Sequence, residues 1–249
     1  MFKKNCASNI ILQLKPSKKV RSLPLAEKFI RILGKGIHAF EVWSIGKICQ
    51  IFICSSNYDV ARKIASLYPC EIYYSSKKFP FSNLDDFNVG YLTLSRNYCP
   101  IDVSFDFDPL DILLKMISGF KAIYQVVFTE INNNKLFNRI FGVLKDLRDN
   151  KTTSELTNKA NYPFFKVSIR VAINSKLDLL EDFFKFFNNY KLNQIFKIKK
   201  INNKNKAFRM MTSRCMEKCI ILSSLELSYL AHIPGSEITA KNVEFSTFV

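Results

Sequence analysis

The chain has 249 residues, of which 48% are apolar, 14% aromatic and 23% charged. This length and apolar content allow a large hydrophobic core and exclude an intrinsically disordered tail, while seven glycines and eight prolines are too few for a collagen-like or linker-like protein. The 37 Lys and Arg against 21 Asp and Glu give a formal net charge of +16, which favours polyanionic partners such as nucleic acid or an anionic membrane face.

The basic composition has a second explanation, which stays open. Phe occurs 23 times, and Lys, Ile and Asn are also abundant, as they are in proteins from AT-rich genomes. Net charge reports solubility and non-specific binding before it reports a specific partner. Composition therefore indicates a class of partner and no chemistry.

An extended basic arm is predicted for residues 1–20, followed by a first α+β unit over 21–98. Apolar residues at helical spacing predict the helix that opens this unit, and Gly46-Lys47 predicts a hairpin between two strands. The predicted elements are helices over 23–33 and 60–67 and strands over 38–45, 48–54, 71–75 and 89–94.

A second α+β unit is predicted for residues 99–201. Asp108-Pro109 combines a capping acceptor with proline in the first helical turn, and alternation of apolar and polar residues over 164–173 predicts a half-buried strand. The other predicted elements are strands over 123–131 and 194–201 and helices over 136–147 and 177–190. The repeated order predicts an α+β fold of two ferredoxin-like sandwich units in tandem.

Residues 202–249 are expected to hold a basic loop, a short helix and a tail. The low-complexity run Lys199–Lys206 predicts the loop. Ser223 and Glu226 have the spacing of a capping box, which predicts the start of the short C-terminal helix.

Residues that carry catalysis or bind metals are sparse. The two histidines, His38 and His232, are expected at a strand start and a helix end in structural roles. Seven cysteines without a C-x-x-C pair argue against a disulfide framework and a zinc ribbon. Although Cys215 and Cys219 lie one helical turn apart, we expect reduced cysteines that pack as small apolar side chains, and we expect Asp108 to cap a helix rather than to bind a metal.

Motifs of nucleotide-binding and hydrolytic enzymes are absent from the sequence. No P-loop, G-x-G-x-x-G, H-E-x-x-H or G-x-S-x-G occurs, and Gly34-Lys35-Gly36 follows a predicted helix, as a C-terminal cap does. The sequence therefore predicts a protein that is not an enzyme and holds no cofactor and no metal. Because no run reaches the ~18 apolar residues of a membrane span, we expect no transmembrane segment and a cytoplasmic or organellar-matrix location, with any membrane contact being peripheral.

The strongest candidate for a binding site is the basic, aromatic-rich region 185–218. In one interpretation its cations neutralise phosphates while exposed rings stack on bases. In the other, which is favoured, the rings form the core face of a helix and the lysines form a solvated rim. If nucleic acid is bound, we expect its phosphates to contact a flexible basic loop carrying Lys199, Lys200, Lys204, Lys206 and Arg209.

Several segments together resemble one family. They are Phe40-Glu41-Val42-Trp43, Ala65–Ile72, Asp108–Val127, Phe164–Val171 and Leu222–Pro234. In this order, and over most of the chain, they resemble the N-terminal, non-ATPase region of the TraC/HerA-like DNA-translocating ATPases of conjugation and type IV secretion systems.

The resemblance implies a region that precedes a RecA-like motor carrying the P-loop. The motor would begin about where this chain ends, at Val249, so the nucleotide-binding residues of the family have no counterparts here. A split gene, a degenerate homologue kept as a structural subunit and a truncated chain are three explanations. In each of them, this polypeptide does not hydrolyse ATP.

These inferences predict a non-catalytic assembly or adaptor subunit of a DNA-translocating machine. Its expected partners are a P-loop motor ATPase on a separate chain, or copies of itself, and DNA or RNA at the basic surface. The alternative is a structural or RNA-binding subunit of a large ribonucleoprotein such as an organellar ribosome, which basic ferredoxin-like units suit equally well.

Overall fold

The fold was analysed in a computed structural model that describes residues 10–21, 23–96, 99–131, 154 and 157–247. Helices and a largely antiparallel sheet together form a mixed fold, so the predicted α+β class is confirmed. The helix predicted over 136–147 lies outside the described residues.

The first half of the chain follows the order strand, helix, strand, strand, helix, strand. These elements are β1 (Ile10–Pro16), α1 (Leu23–Leu33), β2 (His38–Ile45), β3 (Ile48–Ser55), α2 (Val60–Ala65) and β4 (Cys70–Tyr74). The strands lie in the spatial order β4-β1-β3-β2, and every pair is antiparallel. The predicted hairpin is confirmed: its turn contains Gly46 at a φ of +75°, a conformation that a residue with a Cβ adopts only under strain.

The second half repeats that order. Its elements are β5 (Asn88–Leu94), α3 (Pro109–Met116), β6 (Lys121–Glu130), β7 (Phe164–Ile173), α4 (Asp178–Lys185) and β8 (Phe196–Lys200). The strands again pair antiparallel, in the spatial order β8-β5-β7-β6. Each half therefore has the same connectivity and the same strand order, and we call the halves the first repeat and the second repeat.

The two repeats share one continuous sheet. Strand β2 pairs with β6 over eight residues, from His38 opposite Phe128 to Ile45 opposite Lys121. The sheet gains a ninth strand, β9 (Ile220–Ser223), which pairs with the first residues of β7. The C-terminal part of the chain adds two further helices, α5 (Lys204–Ser213) and α6 (Ser224–Leu230), and a single 3-10 turn lies at Tyr190–Leu192.

The sequence-based boundaries need two corrections. The predicted arm over 1–20 is wrong for residues 10–16, which form β1 between β3 and β4. The prediction assigns β5 to the first unit over 21–98. Among the described strands, however, β5 pairs with β7 and β8 and with none of the first half, so the first repeat ends at Tyr74 and the second begins at Asn88. Both errors have one cause, because the partners of β1 and β5 lie more than 30 residues away and local sequence cannot show them.

Both predicted helix caps are confirmed. Asp108 accepts a hydrogen bond from the backbone N–H of Leu110 at 2.8 Å. Ser223 and Glu226 form a reciprocal capping box at the start of α6, in which the Glu226 carboxylate accepts from the Ser223 N–H at 2.7 Å. These contacts satisfy backbone donors that a helix leaves free at its first turn.

The sheet is covered on both faces. Helices α1, α2, α3, α4 and α6 bury one face in the main core. On the second face, α5 and the segment 79–87 cover a smaller apolar cluster around Trp43 and Phe52, whose rings stack with centroids 3.7 Å apart. We call these the helical face and the second face.

Gly90 lies in the middle of β5 where no larger residue fits. A Cβ at this position would overlap Cγ2 of Ile198 on the neighbouring strand, and this β-branched side chain has little rotamer freedom. We expect Gly90→Ala to lower the free energy of unfolding by about 1–3 kcal/mol, the usual cost of overpacking. Urea unfolding measures the loss, and adding Ile198→Ala should recover part of it; no recovery would locate the strain elsewhere.

Candidate nucleic-acid interface

The five predicted contact residues do not lie on a flexible loop. Lys199 and Lys200 belong to β8, whereas Lys204, Lys206 and Arg209 belong to α5, which begins after the capping residue Asn203. Asn203 accepts from the backbone N–H of Lys206 at 2.9 Å. The predicted loop Lys199–Lys206 is therefore corrected to the end of a strand, a three-residue connection and the start of a helix.

The structure also separates these five residues. Lys199 faces the second face of the sheet, whereas Lys200 points to the helical face, because side chains alternate along a strand. Lys204 is half-buried and donates a hydrogen bond to the Phe87 carbonyl. Lys206 and Arg209 are exposed on α5. Only part of the predicted set is thus available on one surface.

A groove on the second face of the second repeat is lined by three lysines, of which the sequence prediction selected Lys199 but not Lys197 or Lys218. Its floor is β5, with Tyr91 and Thr93; one wall is β8, with Lys197 and Lys199; the other wall is the segment that carries Lys218. The groove has a volume of about 540 Å³, which is within the range of about 300–1,000 Å³ of ligand sites. We call it the lysine groove.

The lysine groove is rich in cations. Among the described residues that line it, three are lysines and none carries a carboxylate, although Glu217 is close enough to contribute to the raised pKa of Cys219. Its one acidic thiol, Cys219, has a raised pKa because burial disfavours the thiolate, so it is neutral at physiological pH. Lys218 holds its Nζ 5.8 Å from the centroid of the Tyr91 ring, in a cation–π contact.

The exposed cations of α5 border a different cavity. Lys206 and Arg209 line a space of about 360 Å³ together with Thr212, Ser213 and Glu217. The carboxylate of Glu217 offsets part of their positive charge. This cavity is therefore less suited to an anion than the lysine groove.

The aromatic residues of the basic region are mostly core. Phe183, Phe184 and Phe187 are fully buried against the helical face, as the favoured structural interpretation predicts. Phe186 and Tyr190 are exposed, but they lie on the α4 side of the sheet. The ring that does reach the lysine groove is Tyr91, which the sequence analysis did not single out.

A buried polar row crosses the sheet beside the groove. Register places Tyr91 opposite Arg170, Arg170 opposite Gln125 and Gln125 opposite Glu41. Arg170 donates to the Gln125 side-chain oxygen at 3.0 Å, and the Gln125 amide donates to Glu41 at 2.7 Å. The row therefore joins the second repeat to the first through side chains as well as backbone.

Arg214 contacts the Glu41 end of this row. Its guanidinium donates to both oxygens of Glu41, at 2.6 and 3.1 Å. Burial opposes its charge, but the Glu41 carboxylate outweighs burial and raises the pKa of Arg214. For Arg170 burial dominates and lowers the pKa to about 10, so both arginines are charged at neutral pH.

The row also fixes the end of α5. Gln125 and Arg170 donate to the carbonyls of Met211 and Met210, at 2.8 and 2.5 Å, and Arg214 donates to the Thr212 carbonyl at 3.2 Å. A helix leaves its last carbonyls without partners, and these donors satisfy them. Because α5 and the segment after it cover the second face, Arg170 is fully buried, and the expected half-exposed strand 164–173 is wrong on this point.

Both histidines are buried and hydrogen-bonded. Burial lowers the pKa of His38 to about 4, so its ring is neutral; Nδ1 lies 3.0 Å from the Ser55 hydroxyl. His232 lies 2.9 Å from the Asp108 carboxylate. Asp108 therefore caps a helix and holds an imidazole at the same time.

Another buried ion pair lies beside a cavity of about 530 Å³ next to α6. Lys159 Nζ lies 2.9 Å from Glu226 and donates to the carbonyls of Cys99 and Ile221, at 3.1 and 3.3 Å. These three partners use the donors of the ammonium group. We assign this pair to stability of the fold.

The described cysteines do not assemble a metal site. Within the described residues, no group of three or more His, Cys, Asp or Glu side chains could hold a metal ion. Cys215 and Cys219 follow α5 rather than lying on one helix. Among the described residues, Cys49, Cys54, Cys70, Cys99 and Cys219 are free thiols, as expected for reduced cysteines.

No protein-family model matches the chain, and no curated protein sequence matches it significantly. Across the described ranges, no helix has both the length and the apolar content needed to cross a bilayer.

Proposed function

We propose that this protein is a non-catalytic, nucleic-acid-binding assembly subunit of a DNA-translocating machine of the conjugation or type IV secretion type. The lysine groove is the observation that supports nucleic-acid binding. There Lys197, Lys199 and Lys218 surround Tyr91, and none of the described lining residues carries a carboxylate. Such a surface attracts phosphates, and its affinity comes largely from the release of counterions.

The resemblance to the TraC/HerA-like N-terminal region supports the machine part of the proposal. In this proposal the two repeats are ferredoxin-like units joined through β2 and β6. Their helical face and outer strands β4 and β8 contact a P-loop motor ATPase on a separate chain, or further copies of this one. The protein works in the cytoplasm or an organellar matrix, in peripheral contact with a membrane where the machine is anchored.

Neutralising the lysine groove should weaken nucleic-acid binding and reduce its salt dependence. Replacing Lys197, Lys199 and Lys218 by Gln removes about three phosphate contacts, so the slope of log K against log salt should become less steep by about 2–3. Fluorescence anisotropy of labelled DNA with the full chain, titrated with salt, measures both quantities.

A matched variant controls for net charge. Lys19, Lys35 and Lys47 are exposed and lie outside the second repeat, so replacing them by Gln removes the same charge from another surface. This control should keep nearly the wild-type affinity and slope. Equal losses in both triple variants would mean that the binding depends on overall charge, and the groove assignment would be wrong.

Co-purification tests the proposed role in a DNA-translocating machine. From the native organism, a tagged chain should bring down a P-loop ATPase together with membrane proteins. Ribosomal RNA and ribosomal proteins in the same fraction would contradict the proposal and support the alternative of a ribonucleoprotein subunit.

A further inference from the structure

We infer that the lysine groove receives a single-stranded polynucleotide, with a base on Tyr91 and its phosphates on the surrounding lysines, and that it discriminates against duplex. This inference rests on the proposed nucleic-acid function and specifies its ligand. The groove offers one aromatic ring on its floor and cations on both walls.

The ring of Tyr91 is more buried than the lysines around it, and this arrangement matches a single strand. Tyr91 lies on β5 and is half-buried, whereas Lys199, opposite it on β8, and Lys218 are exposed. A splayed-out strand can place a base inward and its phosphates outward. In a duplex the phosphates are outermost and the bases are stacked inside, so a ring on the floor of a groove cannot reach them.

The spacing of the wall lysines also fits a strand that runs along β8. Lys197 and Lys199 are two residues apart on the same face, which separates them by roughly 6–7 Å, comparable to the step between successive phosphates of an extended strand. Lys218 lies on the opposite wall. The cations thus follow a linear anion from two sides.

An incoming base can replace the ammonium group of Lys218 at the Tyr91 ring. In the free protein its ammonium group lies near the Tyr91 ring, 5.8 Å from the centroid, and its side chain is exposed. A base can take the place of the ammonium on the ring, and the ammonium can then pair with the adjacent phosphate. Both contacts are sequence-tolerant, because every base has a π-face and every nucleotide a phosphate.

Anisotropy with the full chain tests this inference. The probes are labelled oligo(dT) and oligo(U) of about 12 nucleotides, within the usual span of single-strand sites, and a mixed-sequence duplex of the same length. We expect an oligonucleotide to bind at least tenfold more tightly than the duplex. Tyr91→Ala should weaken oligonucleotide binding about tenfold, the loss of one stacked base, and leave duplex binding unchanged.

Two further variants keep the test valid if Tyr91→Ala folds poorly. Tyr91→Phe keeps the ring and should retain wild-type affinity, and Lys218→Ala, at an exposed residue, should weaken oligonucleotide binding and lower its salt slope by about 0.7. Tyr73→Ala, at an exposed tyrosine of the first repeat, should change nothing.

The outcomes separate the two proposals. Equal affinity for duplex and oligonucleotide, with no effect of Tyr91→Ala or Lys218→Ala, overturns the single-strand inference and leaves the proposed function intact. No binding of any probe contradicts both. A strong preference for oligo(U) supports the groove inference but contradicts a DNA machine.

Discussion

Replacing Glu41 by Gln should lower the free energy of unfolding by about 3–5 kcal/mol, the cost of removing one partner of a buried ion pair. Four donors point at this carboxylate: Gln125 and Arg214 at one oxygen, Trp43 and Arg214 at the other. An amide nitrogen in place of either oxygen would face donors. The substitution also leaves the buried guanidinium of Arg214 without its carboxylate partner.

Urea unfolding followed by circular dichroism measures the loss, with Trp43 fluorescence as a second probe. Asp182→Asn is the control, because Asp182 pairs with Lys185 at the surface, where both side chains are 63% exposed, and such pairs contribute little. The double variant Glu41→Met with Arg214→Met removes both charges and should recover much of the stability. An unchanged midpoint for Glu41→Gln would show that the row does not stabilise the fold.

Local signals in the sequence were sufficient for most elements of the fold. Helix α1, the hairpin at Gly46 and the caps at Asp108 and Ser223 follow from apolar spacing, a turn glycine and short-range hydrogen-bond partners. A repeat was predicted as well, but its order of elements was incomplete, because residues 10–16 were assigned to an arm and β5 to the first unit. What the sequence could not show was pairing, since β1 and β5 find their partners far along the chain.

The candidate site was predicted less well for the same reason. The cluster of cations over residues 199–209 predicts a site made of neighbours in sequence. In the fold, alternation on β8 places Lys199 and Lys200 on opposite faces of the sheet. Lys218, which lines the groove, belongs to a different segment. Tyr91 looked like one more strand residue. Its position on the groove floor follows from the register of β5 with β8, which only the fold supplies.

The buried side chain of Arg170 illustrates a stronger limit. Alternation over 164–173 placed Arg170 on a solvent face, which holds for a sheet covered on one side. Helix α5 covers the other side, and its carbonyls together with Gln125 make the burial of a guanidinium tolerable. A helix that covers the second face of a sheet does not alter the apolar–polar alternation of the strand beneath it, so the sequence of the strand does not reveal the helix.

The second large effect is expected at Asp108 and should appear as a change in pH dependence. His232 Nδ1 lies 2.7 Å from the Ser228 carbonyl, which can only accept, so this nitrogen carries a proton; Nε2 faces the Asp108 carboxylate and carries another. Burial opposes the charge of this imidazolium, but Asp108 outweighs burial and raises the pKa of His232 above 6.5. A raised pKa in the folded state stabilises the fold fully below about pH 6.5, and that stability is lost as the pH rises through the folded-state pKa.

Asp108→Asn should reverse this dependence. The amide oxygen can keep the cap on Leu110, while the amide nitrogen donates to a neutral His232 ring at Nε2. The pKa of His232 then falls below its unfolded value, because burial is no longer opposed by a carboxylate. The free energy of unfolding of the variant should be lower by about 1–3 kcal/mol at about pH 5.5 and by much less at about pH 8.

Urea unfolding across this pH range measures the difference, with Asp106→Asn, at an exposed aspartate, as the control for charge. Parallel stability curves for wild type and Asp108→Asn would mean that His232 is not held as an imidazolium, and the ion pair would have to be replaced by a neutral hydrogen bond.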